Sequence, residues 1–115
     1  MVVHSSRKNA ELDRLFRALA DATRRDIVAR VLEGEQSVSD LALRYDMSFA
    51  AVQKHVAVLQ RAGLVTKRPD GRERFVRGNP QRLARARELL TQLESLWKAR
   101  FSQLDSVLVE RNSRE

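Results

Sequence analysis

The chain has 115 residues, with 22 Lys and Arg against 15 Asp and Glu and a formal net charge of +7. That length allows one domain, and the charge suits a polyanionic partner, nucleic acid first and an anionic membrane surface second. With no cysteine a thiolate metal site is excluded; with no run as long as a membrane span and no apolar core in MVVHSSRKN, a cytoplasmic protein with no membrane partner is expected.

Residues 1–8 read as a flexible end. Leu12, Leu15, Phe16 and Leu19 then give a first helix its apolar face. Asp21 is placed to cap a second helix, whose core residues are Ile27, Val28, Val31 and Leu32.

From Ser37 to Val65 the pattern is two short helices joined by a tight turn and followed by the start of a strand, a helix-turn-helix over about 37–62. Ser37 with Asp40 fits a capping box, Ser39 is an alternative cap, and Leu41, Ala42 and Tyr45 supply an apolar face. The pattern breaks at Asp46-Met47, and Ser48 caps a second helix expected over Phe49 to about Arg61, at whose start it is also a candidate DNA contact. Val52, Val56 and Leu59 recur at i, i+4, i+7 and turn to the core, leaving Ala50, Gln53, Lys54, Ala57 and Arg61 outward. Small residues permit close approach to a major groove, Gln can bond bidentately to adenine, and Lys can reach guanine or phosphate. Phe49 reads either as a plug between helices or as a thymine-methyl contact. His55 reads either as a packed histidine or as a phosphate contact. Gly63 ends the helix in a left-handed cap.

Leu64 to Arg68 and Glu73 to Arg77 are strand-like runs flanking Pro69-Asp70-Gly71, a hairpin over about 64–78. It carries Lys67, Arg68, Arg72, Arg74 and Arg77, more cation than a structural hairpin needs. A basic hairpin in this place is a wing, with Lys67, Arg72 and Arg74 as the expected backbone or minor-groove contacts.

Pro80 sits where a helix's first turn tolerates it, and a long helix is expected over about 80–109, ahead of a flexible tail at 110–115. Along it Leu83, Ala86, Leu90, Leu93, Trp97, Phe101, Leu104 and Leu108 recur at threes and fours, close to a heptad seam. A domain spanning 9–109 is too small to cover that stripe. A two-fold homodimer is therefore expected, using Leu90, Leu93, Trp97, Phe101, Leu104 and Leu108 with Leu12, Leu15 and Phe16 of the first helix.

These blocks, LFRALADATRR, SVSDLA, MSFAAVQKHVAVLQRAGLV and GRERFVRGNP, in this order, resemble the ArsR/SmtB family of bacterial winged-helix repressors over about residues 11–105. The resemblance implies a mainly helical winged helix-turn-helix with a β-hairpin wing, which dimerises through its first and last helices. It further implies a repressor binding double-stranded DNA at an inverted repeat, including its own promoter. The family's metal sensors carry a cysteine pair at positions matching Ser37 and Ser39. Both are serine here, and no His lies beyond His55, so neither family metal site is expected. That implies the metal-independent branch, with no metal or other cofactor and an unidentified inducer.

No nucleophile–base set, phosphate-cradling glycine loop or paired-carboxylate motif is legible, so no enzyme is expected. Two other readings stay open. One is a sensor with an apolar small-molecule site between the terminal helices, and the other is a winged-helix module that binds protein or RNA.

Overall fold

Every helix of the body opens on a residue able to satisfy an orphan backbone N–H. In the computed structural model, which describes residues 6–113 except for the side chains at 105, 106 and 109–113, these caps set the element boundaries. Ser6 accepts from the Asn9 N–H and opens α1 (Arg7–Leu19). Asp21 accepts from Arg24 and opens α2 (Ala22–Glu33), and the same bond holds its carboxyl below the usual carboxylate range. Ser37 accepts from Asp40 and opens α3 (Val38–Tyr45), and Ser48 accepts from Ala51 and opens α4 (Phe49–Arg61).

A three-stranded antiparallel sheet of order β1-β3-β2 follows from β1 (Gln36–Ser37), β2 (Val65–Asp70) and β3 (Glu73–Gly78). Two details differ from the sequence expectation. The short β1, pairing Gln36 with Val76 and Ser37 with Phe75, was not foreseen. Pro69 and Asp70 belong to β2 and not to the turn, because Asp70 pairs with Glu73 and leaves Gly71-Arg72 as a two-residue loop. Gly71 has φ 63 while Arg72 keeps a negative φ, which is the II′ pattern. Pro69 is tolerated because β2 is an edge strand.

The core is one cluster from all five helices and the sheet, with Leu15, Ile27, Leu41, Val52, Val56, Leu59, Leu64 and Val76 fully buried. The foreseen face of α4 is thus its buried face. Leu32 is a correction: it lies at the rim, beside Gly78, where a Cβ would meet its side chain at 2.8 Å. Leu15 is a second. Expected at the dimer interface, it is sealed inside the protomer together with Ala18, because α1 packs on α2, α4 and α5, while Leu12 and Phe16 stay at the margin.

The last helix, α5 (Pro80–Ser113), runs past the expected end at 109. No Gly or Pro follows Pro80 in the chain, so nothing local stops the helix. The segments expected to be flexible thus contribute Ser6 as a cap and Arg7, Lys8 and residues 110–113 to helices; residues 1–5, 114 and 115 lie outside the described residues. At its root α5 is tied down. Glu11 on α1 accepts from Arg82 at 3.4 Å and Arg85 at 2.7 Å, and Ala86 is buried. Asn79 donates its backbone N–H to Leu64 O at 2.8 Å and its amide to Gly63 O at 3.0 Å. Beyond Leu89 every described side chain is exposed. The Cα radius of gyration is 20.4 Å, against about 13 Å for a compact chain near this length.

Candidate nucleic-acid interface

The turn between α3 and α4 fixes how the second helix is presented. Asp46 takes the left-handed conformation at φ 50, with Met47 N–H donating to Ala42 O at 3.2 Å, a cap built without glycine. At the other end Gly63 (φ 77) and Leu64 close a Schellman motif, Leu64 N–H donating to Leu59 O at 3.0 Å. With Val52, Val56 and Leu59 buried beneath, α4 cannot roll, and Ala50 and Lys54 lie exposed on its outer side with Ser48 and Phe49 at its start.

Phe49 is 49% exposed and borders a shallow cavity with Ser39, Ala42, Leu43, Asp46 and Met47. His55 is half-buried, its Nδ1 3.4 Å from the Arg24 guanidinium, which also donates to the carbonyls of Ala18 and Arg17. Through His55, Arg24 ties the end of α1 to α4. Arg30 and Tyr45 make a similar bridge. The Tyr45 hydroxyl donates to Asp26 at 2.5 Å and Arg30 donates to both. These bonds, Tyr45's first and then Arg30's, lower the Asp26 pKa, and burial pushes the Tyr45 hydroxyl up to about 12 with Asp26 adding to the effect.

The wing's cations divide into two groups. Arg68 pairs with Glu35 at 2.5 Å and lies over the Phe75 ring, with Arg77 4.0 Å from the same carboxylate. The Arg68 hydrogen bond holds Glu35 below the usual carboxylate range. Arg68 therefore fastens the hairpin to the α2–β1 turn, with Arg77 at the edge of the same ion pair. Arg72 and Arg74, by contrast, are exposed at the tip and make no ion pair among the described residues. Lys67 belongs to neither group. It shares the inner face of β2 with Val65 and donates from Nζ to Gln53 Oε1 at 2.9 Å, joining wing to helix. The sequence reading named both residues and missed the bond, as it missed Glu35, Asn79 and Glu11.

Ser37 is buried as a cap with its hydroxyl engaged by Asp40 N–H, and Ser39 is exposed on the first turn of α3. Among the described residues no three His, Asp or Glu side chains gather as a metal ion requires. No described helix is long and apolar enough to cross a membrane.

Residues 21–67, spanning α2 through the first half of β2, match the family described as bacterial regulatory protein, arsR family. The chain belongs to the ArsR family. Like its relatives it is a transcriptional regulator, with a winged helix-turn-helix as its DNA-binding domain and no enzymatic activity. It is 42% identical over 85 residues to the HTH-type transcriptional regulator Rv2034 of Mycobacterium tuberculosis, covering 74% of this chain and 77% of that one. It is 30% identical over 95 residues to the arsenical resistance operon repressor of Escherichia coli, covering 82% and 79%. Its fold matches the homodimeric winged helix-turn-helix DNA-binding domain of Mb0332 from Mycobacterium bovis, described as a possible ArsR-family regulator. There the TM-score is 0.62 and the identity 26%, with 83% of this chain and 91% of that one covered.

Proposed function

We propose that this ArsR-family regulator is a homodimeric repressor that binds an inverted-repeat operator, its own promoter included, without a metal inducer. The observation that carries the reading is the outward side of α4, with Ala50, Gln53 and Lys54, together with a wing tip whose exposed Arg72 and Arg74 make no ion pair among the described residues. Groove and phosphate backbone are then met together: α4 supplies base contacts, and the tip arginines supply sequence-independent affinity. The dimer is supported by Leu90, Leu93, Leu96, Trp97, Phe101, Leu104, Val107 and Leu108, which are 49% to 69% exposed. At 100° per residue they cover roughly 140° of the helix, wider than a two-helix seam. That width suits contact with both the first and last helices of a second copy. A dyad then sets two α4 helices about one turn of DNA apart. The repressor name of the E. coli relative and the homodimeric M. bovis domain agree with this reading. Such a protein acts where the chromosome is, in the cytoplasm.

The test is a salt titration of binding to the DNA upstream of its gene, with a scrambled duplex of equal length as competitor. A preference of at least about a hundredfold near physiological salt is expected. Equal binding that vanishes with salt leaves only the charge correctly read. Gln53→Ala is expected to weaken specific binding by about 1–3 kcal/mol and to relax one base position. A second reading, a small-molecule sensor, rests on an open cavity of about 490 Å³ between α1 and α5, where Leu12 and Leu89 stand among the polar side chains of Lys8, Glu11, Arg85 and Glu88. An effector bound there must shift melting temperature and operator affinity reciprocally.

A further inference from the structure

We propose that Lys67 is not a phosphate contact but the residue that sets what Gln53 reads. The bond from Lys67 Nζ to Gln53 Oε1 holds the pair together across 14 residues of sequence, from the inner face of β2 to α4. Lysine has three donors and no acceptor, so the contact fixes the orientation of the amide, with its oxygen toward the ammonium. Among the described residues the Gln53 NH₂ group bonds to nothing. A glutamine that pairs bidentately with adenine must accept from N6 and donate to N7 at once. Here Lys67 takes one of the oxygen's two lone pairs, and the cation standing beside the other repels the N6 amino protons. Guanine presents N7 and O6, both acceptors, to the same place. The Gln53–Lys67 pair therefore selects guanine, and Lys67 acts as a specificity-determining positioning residue.

The inference rests on the DNA-binding reading and is tested separately from it. Wild-type protein, Lys67→Met and Gln53→Glu are each used to enrich sites from a randomised duplex pool, and the salt dependence of each is measured on the wild-type site. The wild type is expected to require guanine at one base pair per half-site. In Lys67→Met the preference for guanine over adenine at that pair alone falls by about tenfold, with the salt slope unchanged. Gln53→Glu keeps the bond to Lys67 but has no proton to donate, so it loses guanine at the same pair while the rest of the site persists. That arm decides the matter if Lys67→Met fails to fold. A uniform loss across all sequences in Lys67→Met, with a flatter salt slope, makes Lys67 a phosphate contact and overturns the proposal. An unaltered site in Gln53→Glu overturns it as well. A wild type that enriches no sequence removes the DNA reading and this proposal together.

Discussion

The body of the molecule and the far half of α5 are built from similar apolar residues yet stand in opposite conditions. In the body Val52, Val56, Leu59 and Val76 are fully enclosed, whereas beyond Leu89 no described side chain of α5 is buried. The difference is one of geometry. The body's helices are short, of 8 to 13 residues, and each finds neighbours within the same chain. A helix of 34 residues is about 51 Å long and outruns a domain this small. The body's stability is therefore set within one chain, while in the homodimer we propose that of the helix's outer half rests on a second copy and depends on concentration.

The largest expected effect breaks the body. Leu59→Ala should cost about 2–5 kcal/mol, read as a lower denaturant midpoint with an unchanged slope, at any protein concentration. Trp97→Ala acts on the other region. Trp97 packs edge-on against Phe101 with ring centroids 4.9 Å apart on the exposed stripe. Its removal should weaken self-association by about 2 kcal/mol or more, measured by sedimentation equilibrium, without altering the fold of the body; a monomeric wild type would erase the contrast altogether. Tyr45→Phe sharpens the picture of how the body is knitted, and should cost about 1 kcal/mol near neutral pH. Because the folded Asp26 pKa is depressed, this contribution is complete above the ordinary carboxylate value of 3.8 and fades as pH falls through the folded value. Wild type and variant should therefore converge in acid-unfolding curves. Arg72→Ala is the mildest, leaving melting temperature and association alone. It should weaken all duplexes alike and reduce the salt slope by about 0.9.

Local pattern made much of this legible. The stripe Val52, Val56, Leu59 needs only helical spacing, and Ser37 and Ser48 announce their helices because a cap is satisfied within three residues. What pattern could not do was apportion a stripe. Leu12, Leu15 and Phe16 share one face, and only the packing of α1 shows that Leu15 serves its own chain. Likewise Leu83 and Ala86 pack on the body's core, while Leu90 onward is exposed. The wing was legible as a hairpin but not in its register, since one Gly at φ 63 in a two-residue loop moves Pro69 and Asp70 into the strand. Contacts joining Arg68 to Glu35 or Lys67 to Gln53 span 33 and 14 residues and exist only once the sheet has docked on the helices.

Asn79 has a mechanical meaning. It bonds Gly63 and Leu64, the two residues that close α4, and stands immediately before the first residue of α5. The end of α4 and the start of α5 are thus held at one joint by two hydrogen bonds, so the direction in which the long helix leaves the body is set where α4 closes. Glu11 fixes the same root from α1 through Arg82 and Arg85.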